Sequence, residues 1–167
     1  MKLEIRDVPS PNFRRIRRSP VSHIILHIMD GTLAGTDSWF SNPASQVSAH
    51  YGIGRNGELR RYVAEESEAW HCGRILNPKV ALLRDAAGNW INPNAYTIGI
   101  EVEGRASEPV HLVQYYVLAL LLRDVASRYG IPLTEDRVWL HREVYAAKSC
   151  PGLLDRGLAL RLAALPA

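Results

Sequence analysis

The stretch from Pro109 to Gly130 restricts the fold more than any other part of the chain. Apolar residues run unbroken from Val117 to Leu122. On a helix of 3.6 residues per turn, such a run leaves almost no polar face. A helix of this kind belongs at the centre of a domain, covered on most sides. Pro109 suits a first helical turn, Gly130 a C-terminal cap, and Pro132 lies just beyond, so the helix is expected over 109–129.

The other segments read mostly as strands. Residues 22–32 hold a β-branched run ending at Asp30-Gly31, the pattern of a buried strand. Residues 32–46 are rich in Gly, Ser, Thr and Asn and read as loop with room for a short helix. Residues 47–55 and 59–63 read as two strands around Arg55-Asn56-Gly57. The segment 72–95 is a long loop, and long loops in compact domains usually carry function. Strands follow at 96–102 and 138–140, and an amphipathic helix at 153–165. The expected fold is an α/β single domain with a central mixed β-sheet flanked by α-helices. With 167 residues there is room for one such domain and a core that needs no staples.

The expected division is a basic N-terminal arm over 1–20 and a catalytic domain over 21–167. The net charge is only +3, but Arg14, Arg15, Arg17 and Arg18 fall within five residues. That cluster is either a solvated arm or an anchor for an anionic polymer such as the bacterial envelope. No nucleic-acid motif accompanies it, so nucleic acid is not expected as a partner. No stretch approaches the roughly 20 apolar residues of a bilayer span, and the first residues lack a secretory pattern. The expectation is synthesis in the cytoplasm, as a monomer.

Two cysteines, Cys72 and Cys150, and six histidines are candidates for metal or catalysis. His23 and His27 are four apart, but on a strand that spacing spans roughly 13 Å, too far for one ion. His23 therefore reads as an ordinary strand-end histidine. His141 follows the apolar triplet Val138-Trp139-Leu140, and Cys150 lies nine residues on, ahead of a helix. Together with His27 from a neighbouring strand these give three N/S ligands, the set of a catalytic zinc with one open position. Spacing alone favours the plainer reading, two partly buried histidines and a structural cysteine.

Five pieces in order then carry a resemblance: ILHIMDGT (25–32), VSAHYGIGRNGEL (47–59), AWHCG (69–73), TIGIEVEG (97–104) and LHREVYAAKSCPG (140–152). The chain resembles the type 2 N-acetylmuramoyl-L-alanine amidases, a family that includes phage lysozyme-type endolysins and is similar to peptidoglycan recognition proteins. The resemblance implies Zn2+ held by His27, His141 and Cys150, with peptidoglycan as substrate. It implies catalytic roles for Lys148 and Glu101. A carboxylate at Glu101 can move a proton from water to the leaving amine, and a fixed cation at Lys148 can stabilise the tetrahedral oxyanion. In the endolysin branch a tyrosine precedes the histidine of the second motif. Ala49 stands there in this chain, which shifts the proton carrier to Glu101, and Tyr51 is given no role. His50, His71, Trp70 and Asn94 are expected to contact substrate or support the ligands, with Trp90 in the same wall. Cys72, following His71, is expected near the cleft and able to pair with Cys150 on oxidation. The implied reaction is hydrolysis of the amide between N-acetylmuramic acid and L-alanine, in an endolysin. A cytoplasmic amidase recycling muropeptides and a non-catalytic peptidoglycan-binding module are the alternatives.

Overall fold

In a computed structural model of the protein, which describes residues 3–165, the apolar helix packs on one face of a six-stranded sheet. Met1, Lys2, Pro166 and Ala167, the ends of the expected arm and domain, lie outside the described residues. In chain order the elements are β1 (Ile5–Asp7), β2 (Phe13–Arg14), β3 (His23–Ile28), α1 (Leu33–Ser41), β4 (Tyr51–Ile53), β5 (Leu59–Arg61), β6 (Glu68–Ala69), β7 (Thr97–Val102), α2 (Leu112–Tyr129), β8 (Val138–Leu140), α3 (His141–Val144) and α4 (Arg156–Ala164). The main sheet runs β1-β5-β4-β7-β3-β8, and only the β4–β5 pair is antiparallel. It is the mixed sheet that the strand pattern anticipated.

Period-two alternation divides the sheet residues between two faces. Ile24, Leu26 and Ile28 of β3, with Ile98, Ile100 and Val102 of β7, share one core with Leu118, Leu121 and Leu122 of α2. Ile25 of β3 and Trp139 of β8 face the other way, onto a smaller core with Tyr96 and Leu82. The loop 72–95 supplies Leu82, and Ile75, Val80 and Ile91 pack beside it. That loop covers the second face of the sheet as well as bordering a cleft.

Several boundaries move for local reasons. Helix α2 starts at Leu112, so Pro109 is not in its first turn; His111 is the N-cap, and its N–H donates to Gln114 Oε1 at 3.0 Å. Gly130 ends the helix at φ 64°, a backbone conformation that costs glycine little. Helix α4 starts at Arg156 because Asp155 accepts from the Leu158 N–H at 3.0 Å and caps it. Segment 32–46 holds the nine-residue helix α1, capped by Thr32, despite its loop-like composition.

The N-terminal segment is not a free arm. β1 pairs in parallel with β5, and β2 pairs with β6 in a second, two-stranded sheet. Arg17 donates to the carbonyls of Glu65, Asn94, Ala95 and Thr97. Arg18 grips Glu68 with two nitrogens, at 3.0 and 2.9 Å. Arg17 is therefore committed inside the molecule, and Arg18, though exposed, is tied to buried Glu68, which corrects the reading of the cluster as a freely solvated arm. Arg14 and Arg15 remain exposed, Arg14 beside Glu68 at 3.6 Å.

Candidate active site

β3 and β7 lie side by side in register, with His27 opposite Glu101. Since Leu26, Ile28, Ile100 and Val102 face α2, His27 and Glu101 must face the other side. β8 pairs with β3 on its other flank and ends at Leu140, so His141 opens α3 beside His27. The chain then returns, and the Arg142 N–H donates to the Cys150 carbonyl at 2.9 Å. The Ile28 N–H donates to Cys150 Sγ at 3.3 Å. One strand end, one helix start and one turn thus bring three donors together.

Their geometry fits zinc. Single donor atoms of His27, His141 and Cys150 lie within 4.8 Å of one another. The two Nδ1 atoms are 3.1 Å apart, and Cys150 Sγ is 3.8 Å from His27 Nδ1. Tetrahedral zinc with Zn–N of about 2.0–2.1 Å and Zn–S of about 2.3 Å asks for roughly 3.3–3.4 Å between nitrogens and roughly 3.5–3.6 Å between nitrogen and sulfur, within a few tenths of an ångström of these distances. His141 Nε2 lies 3.1 Å from the Cys72 carbonyl, which can only accept, so its proton sits there and Nδ1 keeps a free lone pair. Burial, with the Glu101 charge adding to it, pushes the Cys150 thiol up, so this sulfur ligates only where a cation takes over from its proton.

Glu101 Oε1 stands 3.9 Å from His27 Nδ1, and Oε2 is buried with no hydrogen-bond partner among the described residues. Burial lifts this carboxyl to about 8, against the pull of the Lys148 charge. Burial likewise holds both ligand histidines below their ordinary value, Lys148 adding to it in each case. Lys148 and Glu101 line the same groove of about 550 Å³, with the three ligands, His71 and Trp70. The arrangement offers a polar centre able to hold a cation, a carboxyl poised to exchange a proton near neutrality, and an exposed ammonium 5.8 Å from the Tyr145 ring centroid.

Other expected contacts are placed differently. His50 has no exposed surface; its Nδ1 accepts from the Gly99 N–H at 2.9 Å, and it does not line the groove. Asn94 is also buried, its Oδ1 accepting the His71 and Cys72 N–H groups at 3.1 and 2.9 Å. Both brace the site from behind, which corrects their assignment to substrate. Trp90 lies outside the groove lining, with Arg84 over its ring. Tyr51 donates to Glu65 Oε1 at 2.8 Å in the α2 core, whereas Ala49 packs with Phe40 and Tyr62, so the two do not share a side. The strand begins only at Tyr51, and alternation cannot be extended back to Ala49. Cys72 is fully buried among Ile25, Tyr96 and Trp139, and both cysteines are free thiols. Sequence reasoning missed Trp39 and Tyr145, both groove residues. A tryptophan set in a segment of small polar residues was the available signal for Trp39.

Comparison with known proteins agrees with this geometry. The amidase A of Achromobacter lyticus, an N-acetylmuramoyl-L-alanine amidase, is 36% identical over 113 residues, 66% of this chain and 54% of its own length. The 1,6-anhydro-N-acetylmuramyl-L-alanine amidase AmpD of Haemophilus influenzae is 33% identical over 99 residues, 59% of this chain and 48% of its own. The chain thus spans about half the length of these two relatives. A solved selenomethionine AmpD structure superposes with a TM-score of 0.76 at 25% identity, covering 97% of this chain and 99% of that one. The family model described as N-acetylmuramoyl-L-alanine amidase matches residues 17–153, and over that span, which contains every residue of the groove, the chain belongs to that family.

Proposed function

We propose that this protein is a zinc-dependent hydrolase of the amide joining N-acetylmuramic acid to L-alanine in peptidoglycan. One observation carries the reading: His27, His141 and Cys150 converge in a groove that also holds Glu101 and Lys148. Zinc, held by those three side chains, would supply Lewis-acid polarisation of the scissile carbonyl and make water acidic near neutral pH. Glu101, raised by burial, can take a proton at Oε2 and return it to the leaving nitrogen. Lys148 offers a positive charge to the oxyanion that forms on the carbonyl oxygen. Trp70 and Trp39 give the groove two partly exposed aromatic surfaces.

Mass spectrometry of digested peptidoglycan tests the bond. The expected product is new N-terminal L-alanine with intact glycan strands, lost on chelation and restored by zinc. New reducing sugar ends would overturn the reading. Stoichiometric zinc without hydrolysis would instead support a binding module.

For the biological role we propose an endolysin that meets the wall after release from the cytoplasm. The likeness to amidases named for 1,6-anhydro-N-acetylmuramyl substrates favours a second reading, recycling of soluble muropeptides. Among the described residues no helix is long and apolar enough to cross a membrane, which fits either. Turnover of intact sacculi against soluble anhydro-muropeptides separates them.

A further inference from the structure

His27 cannot bind a metal through Nδ1 unless its proton sits on Nε2. The atoms behind it form a hydrogen-bonded chain that decides this. His27 Nε2 is 3.0 Å from His71 Nδ1, and His71 Nε2 is 3.1 Å from Thr97 Oγ1. Thr97 Oγ1 is in turn 2.8 Å from the Pro93 carbonyl oxygen. Thr97 has no exposed surface, and His27 and His71 keep only a sliver of theirs toward the groove. The Pro93 oxygen only accepts, and Thr97 has a single hydroxyl proton.

Two directions are open to such a chain. If Thr97 donates to Pro93, it accepts from His71 Nε2–H, His71 Nδ1 accepts from His27 Nε2–H, and His27 Nδ1 is left with a lone pair. If Thr97 turns and donates to His71 Nε2, every proton shifts by one place. His71 then donates from Nδ1, and His27 carries its proton on Nδ1, 3.1 Å from His141 Nδ1, where it blocks the metal position. The Cys72 thiol, 3.4 Å from His71 Nδ1, suits the first direction as a second, weaker donor.

The backbone holds this chain in place. A Cβ on Gly99 would stand 2.5 Å from His71 Cγ, so β7 needs glycine there to admit the ring. Asn94 fixes the backbone of His71 and Cys72 from the turn that also supplies the Pro93 carbonyl.

We propose that Thr97 and His71 are positioning residues: by ending the chain on the Pro93 carbonyl, Thr97 directs the His27 proton to Nε2 and keeps Nδ1 open for the cation. The inference rests on the zinc reading above. It also gives His71 a role that the groove alone does not, since its Nδ1 points at a ligand rather than at substrate.

The test measures zinc affinity by competition with a chelator in Thr97→Val and Thr97→Ser, beside the unaltered protein. Valine keeps the shape and removes the acceptor. Thr97→Val is expected to bind zinc about 10–100-fold more weakly, as is typical when the partner of a ligand is lost. Thr97→Ser is expected to restore affinity. Nitrogen-15 NMR of the histidine rings in unaltered, zinc-loaded protein is expected to show His71 protonated at Nε2, a readout that does not depend on any variant folding. Equal zinc affinity in Thr97→Val, or His71 protonated at Nδ1 in the loaded protein, would overturn the proposal and leave the zinc reading standing. No zinc uptake by the unaltered protein would overturn both.

Discussion

Glu101 and Lys148 share one groove and act on opposite charges, so their removal should leave different signatures. Glu101→Gln removes the proton carrier at nearly constant shape. We expect kcat to fall by about 10²–10⁴-fold with zinc still bound stoichiometrically. Lys148→Met should lower kcat by about 10²–10³-fold, in line with the loss of a single oxyanion contact. Steady-state kinetics with zinc analysis on the same preparations checks both. A fully active Glu101→Gln enzyme would return the proton carrier to open question. Acid stability rests on the buried histidines, His27, His71 and His141 in the groove and two outside it. Burial, then the Arg17 charge, lowers His50 to about 3; burial, then Arg137, lowers His23 to about 4. Their unfolded values lie near 6.5, so below that pH the unfolded chain binds protons that the folded one refuses. Folding stability should fall as pH drops from 6.5 toward 3–4, by on the order of 1 kcal/mol per group for each pH unit. Urea midpoints of metal-free protein at pH 7.5, 5.5 and 4.5 check the direction, and a flat profile would contradict the buried neutral state.

At the scale of single elements, the sequence was most legible where periodicity and burial agree. The 22–32 run gave β3, and parity along it put His27 on the face opposite α2. The same parity brought Glu101 beside it. His50 and Asn94 could not be placed in this way, because both serve backbone N–H groups that only the folded chain brings near them. Helix starts were misjudged where a side chain closes the first turn, Gln114 accepting the His111 N–H and Asp155 accepting the Leu158 N–H. The choice of His27, His141 and Cys150 came from pattern plus family likeness, since spacing alone favoured a structural cysteine. The turn carrying Cys150 offers a direct trial. Gly152 has φ 63°, and a Cβ there would stand 2.2 Å from the Ala106 carbonyl oxygen. Gly152→Ala should therefore destabilise the fold by about 1–3 kcal/mol and weaken zinc binding through Cys150. Thermal melts with and without chelator measure both, and an unchanged melt with full zinc affinity would show that the turn adapts.

For the molecule as a whole, the N-terminal segment matters more than its composition announced. Basic residues near a chain end read as an arm, yet Arg17 bridges loops around residues 65 and 94–97. What its neighbours are cannot be read from the segment itself, because every acceptor is a distant backbone carbonyl. Removing residues 1–19 strips the four carbonyls of their charged donor and uncovers the β5 edge. We expect a loss of at least about 3 kcal/mol, roughly 10 °C in Tm. A truncated protein that melts like the full chain would restore the free-arm reading.

β3 lies one strand in from the edge of the main sheet, between β7 and β8, and both of its partners come far later in the chain. From Ile28 to Val138, 110 positions (138 − 28), the ribosome takes roughly 5–20 s at about 5–20 residues per second. For that time the fully apolar face of Ile24, Leu26 and Ile28 has no complete place to dock. Slow, long-range pairing of this kind exposes a nascent chain to association with its copies. The yield of soluble protein should thus be limited during synthesis rather than by the finished fold, and cooler expression should raise it more than any surface mutation. The strand that carries His27 is also the one most in need of a chaperone.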